Sequence, residues 1–394
     1  MTRTLAATLA FASVMGVAAD WPGFRGTGTS TSAETNLPTG FSDTSGLRWK
    51  ATLPGRGVSG VVTHGGRVYV TASSGPRDDR LHVLCFDATT GTPLWHRQLA
   101  ATGSTAAHPD TCMAAPTPVA DATGVYAQFA SGDVAAFDAD GTLRWYRSLV
   151  GDYPTITNQV GMASSPVLAA GKLIVPVDNY GESFLAALDL KTGQNVWKTP
   201  RPKEANWSTP AVRTLPGGKT EVIFPDRALT AYDADTGAKT WGAKLPGGIP
   251  SPTVAGDLLL SPGGGVTASR LEAGGVKELW KSARMQTGMS SPVAFDGKVY
   301  GVTSSGLVLC LDAATGKQDW DFRVKGKFSA SPVAADGKLY LFNEEGNLLV
   351  VKLGAEPELI AESKTGERGQ ATPAVSGGAI FLRGDKTLFC VGAK

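Results

Sequence analysis

Side chains able to do chemistry are few in this sequence, and their spacing builds no familiar reaction centre. Of the four His, His64, His82 and His96 are scattered over one stretch, and His108 has no second His near it. That pattern offers no His-based acid–base pair or metal site. The four Cys, Cys85, Cys112, Cys310 and Cys390, include no Cys-x-x-Cys pair, which argues against zinc and thioredoxin-type chemistry. Gly-x-Ser-x-Gly, His-Glu-x-x-His and Walker-loop patterns are absent. Gly263-Gly264-Gly265 opens no helix, so it is no phosphate cradle. The insertion Asp178-Asn179-Tyr180-Gly181-Glu182-Ser183 offers oxygen ligands without the spacing of a calcium loop. No catalytic residue and no metal ligand is assigned.

The elements that must position any site are set by a repeat. One unit opens with Ser/Thr-Pro and a short apolar run, passes a Gly into a second run, and ends a third run in Asp. A Thr-Gly turn follows, and four residues later a Trp. The copy Ser291-Pro292-Val293, Gly297-Lys298-Val299-Tyr300, Leu309-Cys310-Leu311-Asp312, Thr315-Gly316 and Trp320 shows it in full. Trp49, Trp95, Trp145, Trp197, Trp241, Trp280 and Trp320 close successive units, with Ile360 in that place in an eighth; the spacings are 46, 50, 52, 44, 39, 40 and 40 residues. Four short β-runs per unit at this period are the signature of a propeller blade. In strand letters, A begins at the Ser/Thr-Pro step, C ends at the Asp, and D carries the Trp.

Asp caps the turn amides and Gly supplies the positive φ of a tight hairpin. A Trp in register on every outer strand reads as a wedge between blades, and Trp320→Ala is expected to cost about 3–5 kcal/mol. The last unit has no strand D before the chain ends, while residues 47–53 form an unpaired run near the start. Pairing the two would close the ring and remove its edges. The fold class is therefore all-β: an eight-bladed β-propeller of four-stranded antiparallel blades. Seven blades is the alternative, because the unit after Ser331 lacks both Asp-x-x-Thr-Gly and Trp.

Arg3, the apolar run 5–17 and Val17-Ala18-Ala19 read as an export signal cut after Ala19. The run is too short to span a membrane, and no Cys follows it for lipid attachment. Residues 1–19 are thus a leader, 20–45 an extension and 46–394 the propeller, in a periplasmic or secreted monomer without a transmembrane segment. The Cys at three C-strand slots alternate with Ala136, Ala187 and Ala231, which marks a small buried position, and unpaired thiols are expected there. Charged residues are only 18 % and the net charge is +2, without basic runs, so the footprint of a nucleic-acid binder is missing. With 42 % hydrophobic residues the chain is not disordered.

In a repeat protein, function sits where the repeat is broken. The D-to-A loops rim one mouth of the channel, and they are unequal. Residues 96–115 bring His108, Asp110 and Met113; residues 146–164 bring Asn158, Gln159 and Met162; residues 201–208 bring Arg201, Asn206 and Trp207. Shorter loops add Arg56, Gln286, Met289, Lys327, Phe328, Arg368 and Gln370. A mixed polar, basic and aromatic rim with Met suits a binding mouth; the alternative is that these residues only plug the channel. The insertion 178–183 is expected on the opposite face.

The Asp-Ala-x-Thr-Gly-x-x-x-Trp spacing resembles the pyrroloquinoline-quinone (PQQ)-like propeller repeat over nearly all of residues 46–394. One branch of that family, the quinoprotein alcohol dehydrogenases, implies PQQ with calcium; those enzymes are longer and carry adjacent cysteines, which this chain lacks. The other branch, the BamB-like propellers of outer-membrane barrel assembly, implies a non-catalytic scaffold that binds a cell-envelope protein. The start Asp20-Trp21-Pro22-Gly23-Phe24-Arg25-Gly26 and the segment Arg201-Pro202-Lys203-Glu204-Ala205-Asn206-Trp207-Ser208 are similar to secreted BamB-like propellers of Planctomycetes. Scaffolding without a cofactor is the reading taken. Quinone-dependent oxidation and binding of a small molecule or glycan in the channel, by Asn206, Gln159 and Trp207, stand as alternatives.

Overall fold

The computed structural model describes residues 19–42, 44–157, 160–226, 228–245 and 247–393. The apolar run 5–17 and the rim residues Asn158 and Gln159 lie outside the described residues.

Eight sheets follow one another around a ring, each with four strands in the order A-B-C-D, and the seventh carries a fifth strand, Thr31–Ser32, outside its strand A. Blade 1 is Val62–His64, Arg67–Ser74, Arg80–Asp87 and Pro93–Ala100, joined antiparallel throughout. Successive A strands touch one another and so line the channel. The unit after Ser331 is a complete blade, Val333–Ala335, Lys338–Phe342, Asn347–Lys352 and Glu358–Lys364, so the ring has eight blades. The eighth closes as the unpaired run implied. Leu47–Thr52 is antiparallel to Thr387–Val391, with Trp49 opposite Cys390.

The repeat residues each have a mechanical task. Asp87 Oδ1 accepts from the amides of Thr89 and Thr90 at 3.0 and 2.8 Å, and Gly91 supplies φ 71°. Each Trp lies opposite the small C-strand slot: Trp95 opposite Cys85, Trp145 opposite Ala136, Trp320 opposite Cys310. All four Cys are buried and unpaired. Six of the Trp indoles donate to a carbonyl of the next blade, as Trp95 does to Ala139 at 2.9 Å and Trp197 to Ala234 at 3.0 Å. Trp241 instead donates to Glu221 of its own blade at 3.2 Å.

Ser/Thr-Pro proves to be a belt. The Thr117 hydroxyl accepts from the Gly60 amide at 2.8 Å, Ser165 from Thr117, Thr209 from Ser165, Ser251 from Thr209, Ser291 from Ser251, Ser331 from Ser291, and Thr372 from Ser331 at 3.1 Å. Pro follows each hydroxyl because its fixed φ starts strand A and its missing N–H is not needed there. Blade 1 has Gly60 in this position, so the belt breaks between blades 8 and 1. Beside the break the buried Arg383 donates to the Ser59 hydroxyl at 2.5 Å.

Two placements differ from the sequence reading. Register puts Ala361, not Ile360, in the Trp slot of blade 7: Ala361 faces Val350 and Leu359 faces Val351, with Ile360 in the bulge between. The extension supplies the missing aromatic, since the Phe41 amide is held by Ser363 at 2.8 Å and its ring stacks on Phe389 at 6.4 Å. Trp320, alone among the seven, is half-buried rather than buried. The extension also crosses the channel mouth at the A–B turn end. Trp21 pairs with Thr63 of blade 1, the Arg25 guanidinium donates to Thr253 and the Pro252 carbonyl, both at 2.8 Å, and Thr31–Ser32 runs parallel to strand A of blade 7. Burial without a carboxylate partner lowers Arg25 to about 9.

Candidate functional site

Strands alternate direction, so A descends, B ascends, and the B–C and D–A connections share one end of the ring. The insertion 178–183 therefore lies on the same face as the rim loops, not opposite them. The direct sign is that Arg201 and Asn206, from a D–A loop, both reach Asp178, from the B–C loop.

One half of this face is built around a sunken ion pair. Arg201 donates from Nε and Nη2 to the two oxygens of Asp178 at 2.8 and 2.9 Å, from Nη1 to the Tyr232 hydroxyl at 2.8 Å, and to the Pro225 carbonyl at 2.7 Å. Its guanidinium stacks 4.1 Å over the Phe224 ring. The side chains are 0 % and 2 % exposed. Burial raises the Asp178 carboxyl above its ordinary range, against the pull of Arg201. Burial also works against the Arg201 cation, but Asp178 outweighs it and holds the charge in place. The bidentate geometry marks this as an intact ion pair. Asn206 spans Asp178 and Pro225 at 3.1 and 2.8 Å, and Trp207 donates to the Gly161 carbonyl at 3.2 Å. Above them a pocket of about 230 Å³ is walled by Trp207, Gly247, Gly248 and Ile249.

The other half is a strap. Residues 101–116 reach over to blades 7 and 8, where Asp110 takes a bond from Arg368 at 2.9 Å and Arg368 also donates to Glu344 at 3.0 Å. Lys327 joins Glu344 at 3.4 Å. Arg56 donates to the carbonyls of Pro109 and Thr111 at 2.9 and 3.0 Å and meets Asp385 at 3.4 Å. The Arg368 bond holds the Asp110 carboxyl below its usual range. His108 is exposed, 3.7 Å from Asp110.

The structure thus brings Arg56, His108, Asp110, Lys327 and Arg368 together, and separately Arg201, Asn206 and Trp207. Met113, Met162 and Phe328 are buried core side chains rather than rim contacts. Gln286 is exposed and folds back on the Ala283 carbonyl at 3.2 Å; Met289 is 49 % exposed; Gln370 is half-buried, with an unpartnered Oε1 among the described residues. Sequence reasoning missed the acidic partners Glu344 and Asp385 and the exposed Ile249, and it read Asp178 as a possible oxygen ligand rather than as the partner of Arg201. The Tyr180 insertion was visible, but was assigned to the wrong end.

The histidines form no site on this face. His82 is buried, with Nδ1 2.9 Å from His96 and Nε2 2.7 Å from the Ser74 hydroxyl. Burial, helped by His96, lowers His82 from 6.5 to about 4. A depressed value means stability present above pH 6.5 that is lost as pH falls toward 4. The wild type should therefore lose more stability between pH 7 and 4 than His82→Gln in parallel denaturation curves. Equal slopes would overturn this. Among the described residues no group of three or more His, Cys, Asp or Glu could hold a metal.

The model of the family described as outer membrane protein assembly factor BamB matches residues 30–215, 181–274 and 263–387. The chain belongs to this BamB family. No curated protein sequence matches it. BamB from Moraxella catarrhalis is similar in structure, with a TM-score of 0.62 at 16 % identity over 88 % of this chain and 97 % of that one. A europium-containing methanol dehydrogenase gives 0.71 at 14 % identity over 95 % and 89 %. The quinohemoprotein alcohol dehydrogenase of Comamonas testosteroni gives 0.70 at 15 % identity over 95 % and 81 %. At these identities the likeness to the solved structures is one of fold, which the BamB family shares with both dehydrogenases.

Proposed function

We propose that the protein is a non-catalytic binding module of the cell envelope, periplasmic or secreted and monomeric, that docks a partner protein on the D–A face. One observation carries this. Consecutive loops of blades 3 to 6 present Tyr180, Trp207, Ile249 and Met289, of which Tyr180, Ile249 and Met289 are 55, 45 and 49 % exposed. An arc of large apolar side chains on one face, beside a charged strap, has the composition of a protein interface. The family description, an assembly factor, agrees with it. The test substitutes this arc: Trp207→Ala with Ile249→Asp and Met289→Asp should keep the fold and lose the partner captured by the wild type.

PQQ held by calcium is the second reading, favoured by the two dehydrogenases of like fold. What speaks against it is that the acidic side chains of this face are already engaged: Asp178 by Arg201, and Asp110 and Glu344 by Arg368. A channel glycan on Asn206 is likewise disfavoured, because its amide is already spent on Asp178 and Pro225.

A further inference from the structure

The interblade Trp residues make the ring its own control. At five joints the turn Gly of the next blade lies flat on the indole: a Cβ at Gly91, Gly141, Gly193, Gly237 or Gly316 would stand 2.5–2.6 Å from it. Trp241 has no such Gly but packs with Leu259 and Leu271 and is 7 % exposed. At the joint between blades 6 and 7 no Gly lies on the indole; Trp320 shares a cluster with Leu339 and Leu353 yet stays half-buried. The following turn is Leu353-Gly354-Ala355-Glu356-Pro357, and a Cβ on Gly354 would meet only the Glu356 carbonyl, at 4.0 Å. Trp320 is still anchored, donating to the Gly354 carbonyl at 3.0 Å, yet a cleft of about 620 Å³ opens beside it.

The cleft is mixed in character, with Phe295, Tyr300 and Leu353 beside Trp320 and a charged rim. Asp296, Asp319, Lys298, Lys317 and Gln318 line it, two acids against two bases. Lys298 is fixed between Asp312 at 3.2 Å and Asp319 at 2.8 Å. We propose that this cleft binds a saccharide, seating a neutral pyranose ring on Trp320. A balanced set of charges favours neither anion nor cation. Donors and acceptors in one cleft with an indole suit a ligand with one apolar face and a rim of hydroxyls. The cleft lies on the flank of blades 6 and 7 near the C–D turns, away from the D–A face, so its failure leaves the docking reading untouched.

The test follows the indole N–H signals of isotopically labelled full-length protein during titration with chitotriose, cellotriose and maltotriose. The Trp320 signal is assigned by its loss in Trp320→Phe. At least one trisaccharide should shift that signal saturably and leave Trp207 unmoved, and Asp319→Ala should weaken the effect about tenfold. The proposal fails if no sugar moves the signal or if Asp319→Ala responds as the wild type does.

Discussion

Replacing Arg201 with Met should destabilise the protein by about 3–5 kcal/mol, because it strands a buried carboxylate without its cation. Asp178 has a side chain only 2 % exposed, so water cannot take over from the guanidinium. The loss should be far greater than for exposed pairs such as Arg284–Asp321, where about 0–1 kcal/mol is typical. The cause can be separated from simple truncation. Removing both charges, as in Asp178→Leu with Arg201→Met, should recover much of the loss, since a buried pair replaced by apolar groups is often neutral. Chemical denaturation of the single and double variants checks this; a double variant no better than the single would contradict it. The pair also holds Asn206 and the floor beneath Trp207, so the single variant should loosen that loop.

The second large effect is a contrast between two Trp residues that the sequence treats as equals. Trp95 is 7 % exposed, donates to Ala139 at 2.9 Å, and is covered by Gly141. Trp95→Ala should cost about 3–5 kcal/mol as a large-to-small change in a packed joint. Trp320→Ala, at an open joint, should cost roughly half as much, because less apolar surface is withdrawn from water there. That lowers the value the repeat alone implies. Equal losses in denaturant titrations of the two variants would mean that the joint between blades 6 and 7 is as closed as the others.

The fold was legible because local chemistry and global closure agree. Asp-x-x-Thr-Gly closes C–D hairpins, and Leu47–Thr52 had no partner except the last blade. The Trp slot of blade 7 was not, because a bulge shifts register by one residue and spacing alone cannot place a bulge. The role of Ser/Thr-Pro was also hidden: the motif is local, but the belt it makes joins residues some forty positions apart. On the candidate face, polarity pointed to the right loops yet could not tell presented side chains from buried ones. Met113, Met162 and Phe328 fill the core, whereas Ile249, in a short loop with nothing to recommend it, is exposed. Asp110 and Arg368 are 258 positions apart, a pairing that only the closed ring brings together.

Partner retention is the most direct measurement of the central claim. Wild type, the D–A face variant Trp207→Ala/Ile249→Asp/Met289→Asp, and an A–B/C–D face control, Thr90→Asp with Lys191→Asp, would be used in parallel affinity capture from envelope extract, after equal unfolding midpoints have been verified. The account predicts a protein held by the wild type and the control and lost from the D–A variant. The same protein held equally by all three, or lost only from the control, would contradict it.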